Sequence, residues 1–142
     1  MLEISEVRKR LLQAVARARQ DAAARRAEAD AAERDYARFL DEVAGPVVRQ
    51  FAGALKAEGY PFQIATPAGV VRLVSERSHE DFIEIALDAS DRPVVVGRTS
   101  RGRGRRVVTE ERPLGDRAAI AELGEEDVLA FLLAAIQPFV AR

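Results

Sequence analysis

The sequence predicts an α+β fold: a long N-terminal helix and a short second helix, an antiparallel meander of about five strands, and an apolar C-terminal helix packed on the sheet. Three observations predict it. Apolar residues recur every three or four positions from Ile4 to Val43, the period of a helix. Between Phe62 and Glu110, short apolar runs are separated by turn residues, the mark of strands. From Val128 onward, apolar residues surround a final helical stretch, as in a helix buried between layers.

The first helix follows a seam through Ile4, Val7, Leu11, Val15, Ala18, Ala22, Arg25, Ala29, Ala32, Tyr36, Phe39 and Val43. Those steps are close to a coiled-coil repeat. A helix of this length extends roughly 60 Å, more than a small domain needs to cover its own sheet. Part of it is expected to project or to pair with another helix. Its middle, Ala14 to Ala32, is mostly alanine, which favours helix but offers little area to bury. Two readings fit: a tight alanine interface, or a solvated helix held by pairs such as Glu28 with Arg25 and Asp30 with Arg34. The larger residues at either end, Ile4, Val7, Leu11 and Val15, then Tyr36, Phe39 and Val43, are the candidate oligomer interface.

Gly45-Pro46 is expected to end or kink this helix, because proline is tolerated in a first helical turn and not in an interior one. Val47, Val48, Phe51 and Leu55 give the second helix its apolar face, and Gly59 is placed to cap it. The connection leaves a helical hairpin and an elbow both open.

Strands are predicted over Tyr60–Thr66, Val70–Ser75, Glu80–Asp88, Val94 onward to Ser100, and Arg105–Glu111. The third is the clearest, because Ile83, Ile85 and Leu87 alternate with Glu84, Ala86 and Asp88. Pro67-Ala68-Gly69 supplies a turn, and Arg101-Gly102-Arg103-Gly104 is expected to form a hairpin tip. Connections this short imply antiparallel pairing. Asp116 is a candidate cap for a short helical turn through Leu123. Glu125-Glu126-Asp127 place three acids at the positive end of the last helix. The chain thus divides into a helical arm over 1-44 and an α+β domain over 46-142. In the latter, helix is expected over 46-59, the meander over 60-111 and helical structure over 116-142.

Length, 142 residues, and an apolar share of 48% suit one domain with a real core. Cysteine is absent, which excludes disulfides, thiolate metal sites and a cysteine nucleophile. The acidic start Met1-Leu2-Glu3-Ile4-Ser5-Glu6 does not look like a signal peptide. No run reaches the roughly 18 apolar residues of a membrane span. The expectation is a cytoplasmic protein with no membrane association.

The net charge of −1 does not mark the whole molecule as a nucleic-acid binder. Its basic residues are skewed, though. Arg98, Arg101, Arg103, Arg105 and Arg106 carry five positive charges with no acid among them, so the rest of the chain is six charges negative. Arginine forks grip carboxylates and phosphates, so this segment is the candidate partner site. Three readings stand: docking of an acidic protein surface, binding of nucleic acid or another polyanion, and a solvated hairpin whose arginines pair with Glu110-Glu111, with acids of the 122–127 region or with a partner. Aromatic residues are missing from the segment, which leaves bases no platform for stacking. Its glycine spacing fits no phosphate-binding loop.

His79, the single histidine, lies in a turn beside Ser78, Glu80 and Asp81. An exposed turn is a poor setting for a general base, and one histidine without cysteine makes a poor zinc site. Glu84 and Asp88 share a strand face, an arrangement that either binds a cation or faces the arginines of the neighbouring hairpin. Neither a catalytic residue nor a metal ligand nor a cofactor is assigned. In order of elements alone the chain resembles the helix-grip proteins, and also small helix–meander–helix nucleoid proteins that dimerise. No motif carries either likeness. The expected function is a non-enzymatic interaction or assembly protein, a homo-oligomer and most simply a dimer. Nucleic-acid binding and a small-molecule pocket between sheet and last helix are the alternatives.

Overall fold

The computed structural model describes residues 1–115 and 119–141. Asp116, the expected cap, lies outside them. In chain order the elements are α1 (Ile4–Phe39), a π-helical turn (Leu40–Ala44), α2 (Gly45–Ala57), β1 (Phe62–Ala65), β2 (Val71–Ser75), β3 (Phe82–Asp88), β4 (Val94–Arg103) and β5 (Arg106–Pro113). A short 3₁₀ turn (Ile120–Glu122) and α3 (Glu125–Val140) complete the fold. It is the α+β architecture the sequence predicts, a helical N-terminus, a five-stranded antiparallel meander and a C-terminal helix against the sheet.

One expectation fails in detail. Gly45-Pro46 does not end the N-terminal helix, so no helical hairpin forms there. The helix runs for 54 residues through the π turn, in which the Gly45 N–H reaches back five residues to the Leu40 carbonyl. The extra residue in that turn carries the chain past the position where a proline ring would strike the preceding carbonyls. Pro46 then sits in the first turn of α2, where its missing N–H costs nothing. The far end behaves as predicted. Gly59 adopts φ +89°, its N–H bonds the Lys56 carbonyl, and the Tyr60 N–H bonds that of Leu55. This double bond is the Schellman cap that glycine permits.

The strands pair in sequence order, β1-β2-β3-β4-β5. Val71, Leu73, Ile83, Ile85 and Val95 face the helices and join Val48, Leu55, Phe131, Leu132 and Ile136 in one core. α2 packs on β1 and β2, and α3 on β3 and β4. At Gly97 the approach is so close that a β-carbon would lie 2.2 Å from the Phe131 ring. Residue type alternates along β3, but burial does not, since Ile83, Glu84, Ile85 and Ala86 are all buried. The last hairpin is longer than expected. β4 continues through Arg103, and the turn is Gly104-Arg105, with Gly104 at φ +62°.

Candidate functional site

Three strand registers bring four charges into one row on the face of the sheet away from the core. Arg72 on β2 stands opposite Glu84 on β3, Glu84 opposite Arg98 on β4, and Arg98 opposite Glu111 on β5. The row alternates in sign, and directly opposed opposite charges stabilise a sheet. Arg72 holds Glu84 with Nε and Nη2 at 3.0 and 2.9 Å. Arg98 lies 3.8 Å from the other Glu84 oxygen and donates from Nε to Glu111 at 3.0 Å. Glu84 is only 5% exposed, so two guanidinium groups serve a carboxylate that water barely reaches. The Glu111 contact, with Glu84 and Asp88 nearby, raises the already high pKa of Arg98. Arg72 also lies over the Phe82 ring, 4.2 Å from its centre. The Glu84 carboxylate therefore faces the arginines, as one reading of the sequence expects, and its Asp88 neighbour turns instead to the Ser90 amide and hydroxyl. The Ser90 hydroxyl, then its amide, holds the Asp88 carboxyl below its usual range.

The five arginines of the candidate site separate. Arg98 belongs to the row. Arg101, half-buried on the core-side face, lines a cleft of about 140 Å³ with Gly97, Glu110, Arg112 and Phe131. Arg103, Arg105 and Arg106 are exposed at the hairpin end. None of the ion pairs among the described residues uses Arg101, Arg103, Arg105 or Arg106. Arg103 stands opposite Arg106 in the hairpin, a like-charge pair that is costly without a neutralising partner.

The seven interface candidates separate as well. Tyr36 and Phe39 are buried in the chain's own core, and Val43 packs against it. The Tyr36 hydroxyl donates to the Gly69 carbonyl, with that of Ile85 at 3.3 Å. Burial, with Glu84 nearby, pushes its pKa well above 10. Ile4, Val7, Leu11 and Val15 are exposed, as is Leu12, which the seam omits. From Met1 to Glu28 every residue is exposed except Glu6 and Ala22, which are half-exposed. At 1.5 Å per residue this is an arm of roughly 40 Å. The charge pairs expected on it do not form among the described residues. Glu6–Arg10 does, at 3.1 Å.

A groove of about 530 Å³ runs between the π turn and the β1–β2 hairpin. It is lined by Leu40, Asp41, Gly45, Arg49, Ile64 and Val70 among others. Beside α3, the cleft at Arg101 is smaller than the roughly 300 Å³ at which ligand pockets begin, and an open one lined by Arg112, Leu114, Asp127 and Phe131 holds about 320 Å³. His79 is exposed. No helix among the described residues is long and apolar enough to cross a membrane.

Sequence reasoning missed Arg72, which holds Glu84. The signal for Arg72 was its place one strand back from Glu84, which becomes meaningful only with the register in hand. Neither a protein-family model, nor a curated protein, nor a solved structure matches this chain with significance.

Proposed function

We propose that this chain is a non-enzymatic assembly protein, which self-associates through its N-terminal helix and docks an acidic partner through the arginines of the β4–β5 hairpin. The observation that carries the reading is the arm. It leaves Ile4, Val7, Leu11, Leu12 and Val15 exposed to water along the first part of α1. Burying a Val, Leu or Ile side chain fully is worth about 1.5–3 kcal/mol. Several such residues from each of two copies reach the range of roughly 4–15 kcal/mol that association costs. A second copy of the same helix is the simplest cover, under two-fold symmetry.

The test is Leu11→Glu in the full chain. Leu11 is 60% exposed, so folding survives the change. Sedimentation is expected to show a smaller species than for the unaltered chain. Equal sizes would remove the arm from the reading.

The unpaired arginines also support a polyanion reading through the same hairpin. It requires binding to duplex DNA that weakens steeply with salt and is lost in Arg101→Ala/Arg103→Ala/Arg105→Ala. Salt-independent binding, or none, would remove it.

A further inference from the structure

We infer that the acidic partner of the arginine hairpin is the β5 strand of a second copy, paired antiparallel across a two-fold axis centred on Val108. This rests on the assembly reading above and names the partner of the same hairpin.

β5 is an edge strand of eight residues. Its outward backbone groups follow from the inward ones. The Leu114 N–H bonds the Val95 carbonyl, and Pro113, opposite Val96, has no N–H to give. The Gly102 N–H, opposite Val107, turns away to the Asp81 carboxylate. Hydrogen-bonded and non-bonded pairs alternate along an antiparallel ladder. Arg106, Val108, Glu110 and Arg112 therefore bond to β4, while Val107, Thr109 and Glu111 present their backbone groups to the open edge.

Only odd-numbered residues of this stretch thus bond across the edge, so an antiparallel twin must be centred on a residue, not between two. The charges choose among the centres. With Val108 opposite itself, Arg106 meets the second copy's Glu110 and Arg105 meets its Glu111, each twice by symmetry. Centred on Thr109, Arg106 would meet Arg112. Centred on Glu110, two glutamates would collide. The stretch Arg105-Arg106-Val107-Val108-Thr109-Glu110-Glu111 is self-complementary when reversed about Val108. In that register the second copy's Arg105 extends the row Arg72–Glu84–Arg98–Glu111 by one more alternating charge. The two sheets become one of ten strands.

The test uses the full chain carrying Leu11→Glu, which silences the arm, and reads association by sedimentation at tens of micromolar. Circular dichroism confirms that each variant folds. This chain is expected to dimerise through β5. Adding Arg106→Glu or Glu110→Arg sets like charges against each other, and each is expected to weaken the dimer roughly a hundredfold. Mixing these two variants restores opposite charges at both sites and is expected to restore the dimer. Thr109→Pro removes an N–H that the chain's own hairpin does not use, and is expected to give a monomer. A monomer with Leu11→Glu alone, or a mixture that stays monomeric, would overturn the β5 pairing and leave the arm standing. An unaltered chain that Arg106→Glu dissociates and Leu11→Glu does not would sink the arm and keep the pairing.

Discussion

Glu84 is the residue on which the outer face of the sheet depends. Its carboxylate is nearly dry, and Arg72 and Arg98 supply the charge that makes this tolerable. Removing one partner of such a group strands the others. The two arginines are 32% and 36% exposed, so they regain water when Glu84 is lost. Glu84→Gln is therefore expected to cost about 1–2 kcal/mol, less than a fully buried pair would, measured by urea unfolding. Tyr36 makes a different test. Its folded pKa lies above the unfolded value of 10.0, so its contribution is complete below pH 10 and is lost as pH rises beyond it. Tyr36→Phe is expected to be less stable by about 1 kcal/mol at neutral pH. It should also decline less between pH 10 and pH 12 than the unaltered chain. An identical alkaline decline in both proteins would contradict a buried, protonated hydroxyl. At Gly97, alanine drives a methyl group into the Phe131 ring, and a loss of about 2–3 kcal/mol is expected in the same assay.

At the scale of elements, the π turn shows a local signal overridden by its surroundings. Gly45-Pro46 reads as a break because both residues disfavour a helix interior. Ala44, Val47 and Val48 are all buried, and a break there would have pulled them from the core. The helix keeps them by spending one extra residue in the turn. A β-carbon on Gly45 would lie 2.8 Å from the Leu40 carbonyl oxygen. Gly45→Ala is thus expected to destabilise by about 1 kcal/mol despite alanine's better helix propensity. A stabilised variant would mean that the turn relaxes to an ordinary α-helix. The alternation of Ile83, Ile85 and Leu87 was legible because a period of two needs only residue types. The row Arg72–Glu84–Arg98–Glu111 was legible only in pieces, as Glu84 facing the hairpin arginines and as those arginines pairing with Glu110-Glu111. It depends on three registers at once, and a one-residue slip in any strand moves a side chain to the other face. The seam of α1 was legible as a helix, but not its division. Whether Tyr36 or Leu11 meets the chain's own core depends on where the sheet ends beneath the helix.

For the whole molecule, the proposed arm contact and the proposed β5 pairing put two self-associating surfaces on one chain. Each alone would give a two-fold dimer. Together they would give a closed tetramer if their axes intersect at a right angle, and an open chain of molecules if they do not. The salt response separates the two surfaces. An apolar arm contact keeps its strength as ionic strength rises, whereas ion pairs along an exposed edge weaken. The most direct measurement is sedimentation velocity on the full chain at tens of micromolar, beside its Leu11→Glu variant. An assembly larger than one chain, reduced in size by Leu11→Glu, is the expected result. A folded, elongated monomer in both samples would contradict self-association through the arm.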